Sequence, residues 1–125
     1  MRASKETLEV IEGYYALMDA GKLGECGRYF APDATMQIAH FPKIEGWPMI
    51  ERVMTTGLAN PKVKALKHEV RNAWDEDDCS IFEVHAHYEM TDGRRITVPG
   101  VVIAEIRDGR FTSQRVAADL SPTFS

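Results

Sequence analysis

The chain has 125 residues, a formal net charge of −4 and a pI near 5.5. A chain this short holds one domain, taken as residues 1–125, with one core and room for one site. Its basic residues are scattered rather than gathered into a stripe, which argues against a nucleic-acid backbone as partner, and no stretch approaches the roughly 20 apolar residues of a membrane span.

In chain order, Ser4 is the expected N-cap of a first helix of about five turns, with Leu8, Ile11, Tyr15 and Met18 recurring at helical spacing until Gly21. A second short helix is predicted over about 23–30, stopped by Ala31-Pro32-Asp33. "ATMQIAH" reads as a short strand, and Gly46-Trp47-Pro48 opens a third helix, "MIERVMTTGLA", with Pro48 in its first turn. Four strands follow, over about 62–74, 79–91, 94–107 and 110–120. Asp92-Gly93 and Asp108-Gly109 are turn signals that join the last three into an antiparallel meander. Three helices before such a sheet give an α+β fold, in which a pocket is expected wherever the helices leave the sheet face unfilled.

Cys26 and Cys79 form no CxxC pair and the N-terminus lacks a signal-peptide pattern, so a soluble protein of a reducing cytoplasm is expected. No serine or cysteine sits in a nucleophile motif and no glycine-rich loop cradles phosphate. Covalent catalysis and a nucleotide cofactor have no support, and no cofactor is expected.

"YYALMDAGKLGECGRYFAPDAT" (residues 14–35), "HEVRNAW" and "IRDGRFTSQRVAADLSP" resemble, in that order, the opening, first long strand and final hairpin of the SnoaL-like and ketosteroid isomerase-like proteins of the nuclear transport factor 2-like superfamily. The resemblance implies a cone-shaped curved antiparallel sheet wrapped around three N-terminal helices, a deep apolar pocket for a small hydrophobic ligand, and a homodimer through the outer sheet face. Ketosteroid isomerase uses an Asp base with an oxyanion hole of Tyr and protonated Asp. By ungapped alignment the tyrosine falls on Tyr14, but the base falls on Ile38 and the second aspartate on Val102. An apolar side chain accepts no proton, so that particular mechanism is not expected. A gap near Ile38 would bring His40 to the base position.

"VHAHYEM" poses the main question, because a strand here puts His85, His87 and Glu83 on one face. A two-residue turn at Asp92-Gly93 pairs His87 with Val98, His85 with Gly100 and Glu83 with Val102. Hydrophobicity alone would send the opposite face, Phe82, Val84, Ala86 and Tyr88, inward. The register implied by the resemblance sends the histidines inward, and this is the expectation adopted; exposed histidines that merely solvate the sheet remain the alternative. The expected catalytic groups are therefore Tyr14, His85, His87 and His40, with Glu83, Trp47, Phe41, Val98 and Val102 contacting substrate. The implied chemistry is isomerisation, dehydration or polyketide-type cyclisation by acid/base catalysis, and a non-catalytic binding or assembly module is the alternative.

"HAHYE" could also offer metal ligands, but a usable site needs others converging from elsewhere. "TVPGVVIAEI" supplies none, so no metal is expected. Asp19 reads as a solvated or turn-bonding carboxylate, and His68 as a hydrogen-bonded core or interface histidine. Arg115 and Asp119 reach the pocket only if the Asp108-Gly109 turn has two residues.

Overall fold

The computed structural model describes residues 1–57 and 60–124. Helix α1 (Lys5–Asp19) starts where expected, with the Ser4 hydroxyl accepting the Thr7 N–H at 3.2 Å. It is shorter than five turns. Gly21, at φ 75°, ends it in a Schellman turn: Lys22 N–H donates to Leu17 C=O and Gly21 N–H to Met18 C=O. The second helical piece, Leu23–Tyr29, is 3₁₀. Strand β1 (Phe30–Ile38) and a two-residue β2 (Ile44–Glu45) lead to α2 (Trp47–Arg52), which has proline in its first turn and continues as a wider π-type turn, Val53–Gly57. The end of the expected third helix, Leu58 and Ala59, lies outside the described residues.

Strands β3 (Val63–Glu76), β4 (Cys79–Met90), β5 (Arg95–Arg107) and β6 (Arg110–Ala118) follow, and a 3₁₀ turn, Ser121–Phe124, comes last. The sheet order is β2-β1-β6-β5-β4-β3. All pairs are antiparallel except β1 with β6, because α2 and the long meander separate these strands in sequence. The helices cover one face of this curved, unclosed sheet. Among the described residues no helix is long and apolar enough to cross a membrane.

The register of the β4–β5 hairpin corrects the main sequence expectation. Its loop has three residues, Thr91–Gly93, with Met90 N–H donating to Arg94 C=O at 2.8 Å and Gly93 at φ 90°. Asp92 holds this form by accepting the Arg94 N–H at 3.0 Å. Every cross-strand partner moves by one residue: His87 faces Thr97, His85 faces Pro99 and Glu83 faces Val101, while Val84 faces Gly100 and Ala86 faces Val98. A slip of one residue exchanges the faces of a strand. In the observed register Phe82, Val84 and Ala86 share the inner face with Val98, Val102 and Ala104, all buried. His85, His87 and Glu83 therefore lie on the outer face. Turned inward, two imidazoles and a carboxylate would have taken the place of apolar core side chains at a desolvation cost.

The second turn shows the same logic. Asp108-Gly109 is a two-residue turn with both residues at positive φ, as expected. A bulge between Glu105 and Ile106 then shifts the ladder, so Val116 faces Val102 and Arg115 faces Ile103. Arg115 and Asp119 are consequently exposed.

Asp75, near the end of β3, fastens the start of α1 to the sheet. Its carboxylate accepts the Ser4 N–H (2.9 Å), the Thr7 hydroxyl (3.2 Å) and the Ser80 hydroxyl (2.8 Å). Partial burial works to raise its pKa, but these hydrogen bonds together outweigh it and hold the carboxyl below the usual range. The stabilisation is thus complete above about pH 3.9, the ordinary aspartate value, and is lost as the pH falls through the lowered value. Asp75→Ala should lower stability by roughly 1–2 kcal/mol at neutral pH. Urea midpoints of the two proteins, compared from neutral to strongly acidic buffer, should converge at the acid end.

Candidate functional site

A cavity of about 420 Å³ opens between α1, the inner sheet face and the C-terminal turn. Most of its wall is apolar: Met18 from α1, Met36 and Ile38 from β1, Leu66 from β3, Val84 and Ala86 from β4. Residues with polar groups interrupt this wall, among them Tyr14, Tyr15, Tyr88, His68 and Gln114, with Asn60 and Thr123 near the C-terminal turn.

His68 and Asp19 form the best-defined polar contact in the cavity. His68 faces Ala86 across the β3–β4 ladder, and so points inward with it. Asp19, the last residue of α1, reaches it with both oxygens: Oδ1 lies 2.7 Å from His68 Nδ1, and Oδ2 accepts the His68 backbone N–H at 2.8 Å. An ionised carboxylate can only accept, so the proton of a neutral imidazole sits on Nδ1 and Nε2 carries the lone pair. The Tyr15 ring stacks on the imidazole, with centroids 4.2 Å apart and planes 15° from parallel. Carboxylate, backbone and phenol together set the ring's position.

Tyr14 lies deeper, 4% exposed, with its ring edge-on to Phe30 and Phe111. Burial, then the neighbouring Tyr15 and Cys26, hold its phenol well above the usual range, although the Gln114 side chain pulls the other way. The Tyr15 and Tyr88 phenols are also raised, first by burial and then by the charge of Asp19. All three therefore remain O–H donors at neutral pH. Gln114 is 2% exposed, and its side chain stands beside the Tyr14 phenol at the cavity wall. Cys26, whose thiol burial pushes up to about 11, is no nucleophile.

Of the residues expected from sequence, Tyr14 and Val98 line the cavity, as does Ile38 at the vacant base position. His85, His87 and Glu83 do not. Glu83 instead accepts the Asn72 amide at 2.8 Å on the outer face, and His87 bonds Glu69 and Thr97 there. His40 is exposed and stacks on Phe41, itself 56% exposed, so neither reaches the cavity. Trp47 stacks on Phe30 and lies flush on Gly27, where an added Cβ would come within 2.8 Å of the indole nitrogen. It packs between helix and strand rather than walling the pocket. Val102 is buried in the core beyond the cavity.

From sequence, His68 was expected as a hydrogen-bonded core or interface residue, Asp19 as a solvated or turn-bonding carboxylate and Tyr88 only as a member of the strand face opposite the histidines; none of them, nor Gln114, was expected at the site. One local signal was available for Asp19: a carboxylate in the last turn of a helix with no basic residue beside it opposes the helix dipole, and needs a partner elsewhere. Gln114 carried no signal, because only the bulge at Thr112 decides which way that part of β6 faces.

A search of curated proteins finds no match to the sequence. The sequence profile described as "SnoaL-like domain" matches residues 11–114. Among solved structures the fold is similar to an LEH-like epoxide hydrolase from M. tuberculosis (TM-score 0.76, 14% identity, covering 97% of this chain and 88% of that one). It is also similar to a protein of ketosteroid isomerase-like fold from Catenulispora acidiphila in complex with trimethylamine (TM-score 0.76, 17% identity, 90% and 87% covered). TerC, co-crystallised with polyporic acid, matches with a TM-score of 0.78 at 14% identity over 96% of each chain. At these identities the structures speak for the fold alone, but the profile runs from the middle of α1 into β6 and takes in the cavity's helix and every strand, and by that match the chain belongs to the SnoaL-like domain family.

Proposed function

We propose that this protein is a cofactor-independent acid/base enzyme that isomerises, dehydrates or cyclises a small hydrophobic carbonyl compound, with His68 as the base. The observation that carries this reading is the His68–Asp19 pair, set in an apolar wall beside buried O–H and N–H donors. The volume of the cavity falls in the range of about 300–1,000 Å³ usual for small-molecule sites.

The chemistry follows from the atoms. His68 Nε2 takes a proton from the carbon next to a carbonyl, and the C–H electron pair moves toward the oxygen. Tyr14 O–H and Gln114 N–H are the donors for the resulting enolate oxygen, as in other oxyanion sites. The imidazolium is stabilised by Asp19 through Nδ1–H. Return of the proton at another carbon gives isomerisation, loss of a β-hydroxyl gives dehydration, and attack on a second carbonyl gives cyclisation. Tyr14 keeps the role expected from sequence, whereas His68 replaces His85, His87 and His40.

A homodimer through the outer sheet face belongs to the same proposal. It is supported by Val101 and Trp74, which are 42% and 38% exposed there. Val101→Lys should convert a dimer to a monomer in sedimentation, and an unchanged mass would remove this part of the reading.

Thermal-shift screening with hydrophobic ketones and polycyclic phenols should find a ligand, which stabilises by roughly 2.7 kcal/mol at a hundredfold excess over its dissociation constant. With a substrate in hand, Asp19→Asn is the informative change. Its oxygen is claimed by the His68 backbone N–H, so its NH₂ meets Nδ1 and drives the ring proton onto Nε2. We expect kcat to fall by about 10²–10⁴ with ligand affinity kept, and Tyr14→Phe to cost about 10²–10³. Ligand binding without turnover in the unaltered protein would assign the cavity to passive capture.

A further inference from the structure

A second cluster of ligating side chains lies on the outer sheet face, pointing away from the cavity. Glu69 on β3 faces His85 on β4, and His87 follows two residues later on the same side. Ligand atoms of the three lie within 4.8 Å of one another. His87 Nε2 is already 2.9 Å from Glu69 Oε1, and the two imidazole rings stand nearly perpendicular, with centroids 6.1 Å apart.

We propose that Glu69, His85 and His87 form a binding site for a divalent transition metal of the Zn²⁺ type. Two imidazoles and one carboxylate are the ligands such ions prefer, and three protein ligands leave a position open. Metal–ligand distances of about 2.0–2.2 Å put tetrahedral ligand atoms roughly 3.4 Å apart. The cluster thus contracts by up to about 1.4 Å at its widest, within the reach of side-chain rotation because all three residues are only partly buried.

The surroundings favour the arrangement. His87 Nδ1 lies 2.9 Å from the Thr97 hydroxyl, a partner that can donate or accept. When Nε2 takes the metal, the ring proton moves to Nδ1 and Thr97 turns to accept it, so the outer partner orients the ligand in either tautomer. Arg71 holds the other Glu69 oxygen at 3.2 Å, which leaves Oε1 for the ion. Sequence reading dismissed this metal because β5 offered no further ligand. The third ligand comes from β3 instead, through a register the hairpin pattern does not reveal.

The site uses none of the cavity residues, so its test needs no substrate; it shares the outer face with the proposed dimer contact, so the Val101→Lys variant is titrated as well and should bind the same single Zn²⁺. Tag-free protein stripped with chelator is titrated with ZnCl₂ by calorimetry, with MgCl₂ as control. The proposal expects saturable binding of one Zn²⁺ per chain, no Mg²⁺ binding, and affinity lowered at least about tenfold in each of His85→Ala, His87→Ala and Glu69→Gln. His40→Ala, an exposed histidine elsewhere, should change nothing. Co²⁺ should give the intense visible absorption of a low-symmetry site, which the His85→Ala/His87→Ala pair abolishes. No Zn²⁺ heat above the Mg²⁺ background, or Zn²⁺ affinity unchanged in the double variant, would overturn it.

Discussion

The alignment of β4 with β5 decides what the inside of this protein contains. With three residues in the Thr91–Gly93 loop, the apolar alternations of the two strands coincide, Phe82, Val84 and Ala86 matching Val102, Gly100 and Val98. With two they would be out of phase, and one strand or the other would turn polar residues to the helices. Burying the apolar side chains of one strand face contributes about 1.5–3 kcal/mol each. That sum far exceeds anything a turn residue contributes, so the loop takes the length the faces require. The same alignment sends β3 along, because His68 follows Ala86 inward and Glu69 follows His85 outward.

Helix α1 is held against β3 at both ends by carboxylates pointing in opposite directions. Asp75 on the strand receives the N-terminal N–H and hydroxyl groups of the helix, while Asp19 on the helix receives the Nδ1 and backbone N–H of a strand residue. Between these ties lie Tyr14 and Tyr15, whose rings are 5.1 Å apart and close the helical side of the cavity. Asp19 therefore ties the helix to the strand and orients the His68 ring through one contact. The carboxylate that fixes the helix end is the one that fixes the histidine's tautomer.

Relative to the ketosteroid isomerase pattern, the cavity has lost carboxylates and retained the phenol. Ile38, where the resemblance led one to expect the base, lines the wall, and Val102, where it led one to expect the second aspartate, is buried. The opposite wall carries the imidazole of His68, on β3. Gln114 adds an uncharged donor that needs no raised pKa to keep its proton.

The order of elements was legible in the sequence because it rests on local physics: the Ser4 cap, Gly21 at positive φ, Pro48 in a first turn, and the Asp108-Gly109 turn. The cone and the place of Tyr14 were legible too, through the residues that resemble the family. Inward and outward could not be read, because Asp92-Gly93 is compatible with loops of two or three residues and one residue reverses a strand. Nor could the bulge at Glu105 and Ile106, which turns Arg115 out, be seen in a run of alternating side chains. Long-range packing settled both, by bringing together residues 49 apart, such as Asp19 and His68, whose partnership exists only once the sheet has chosen its inner face.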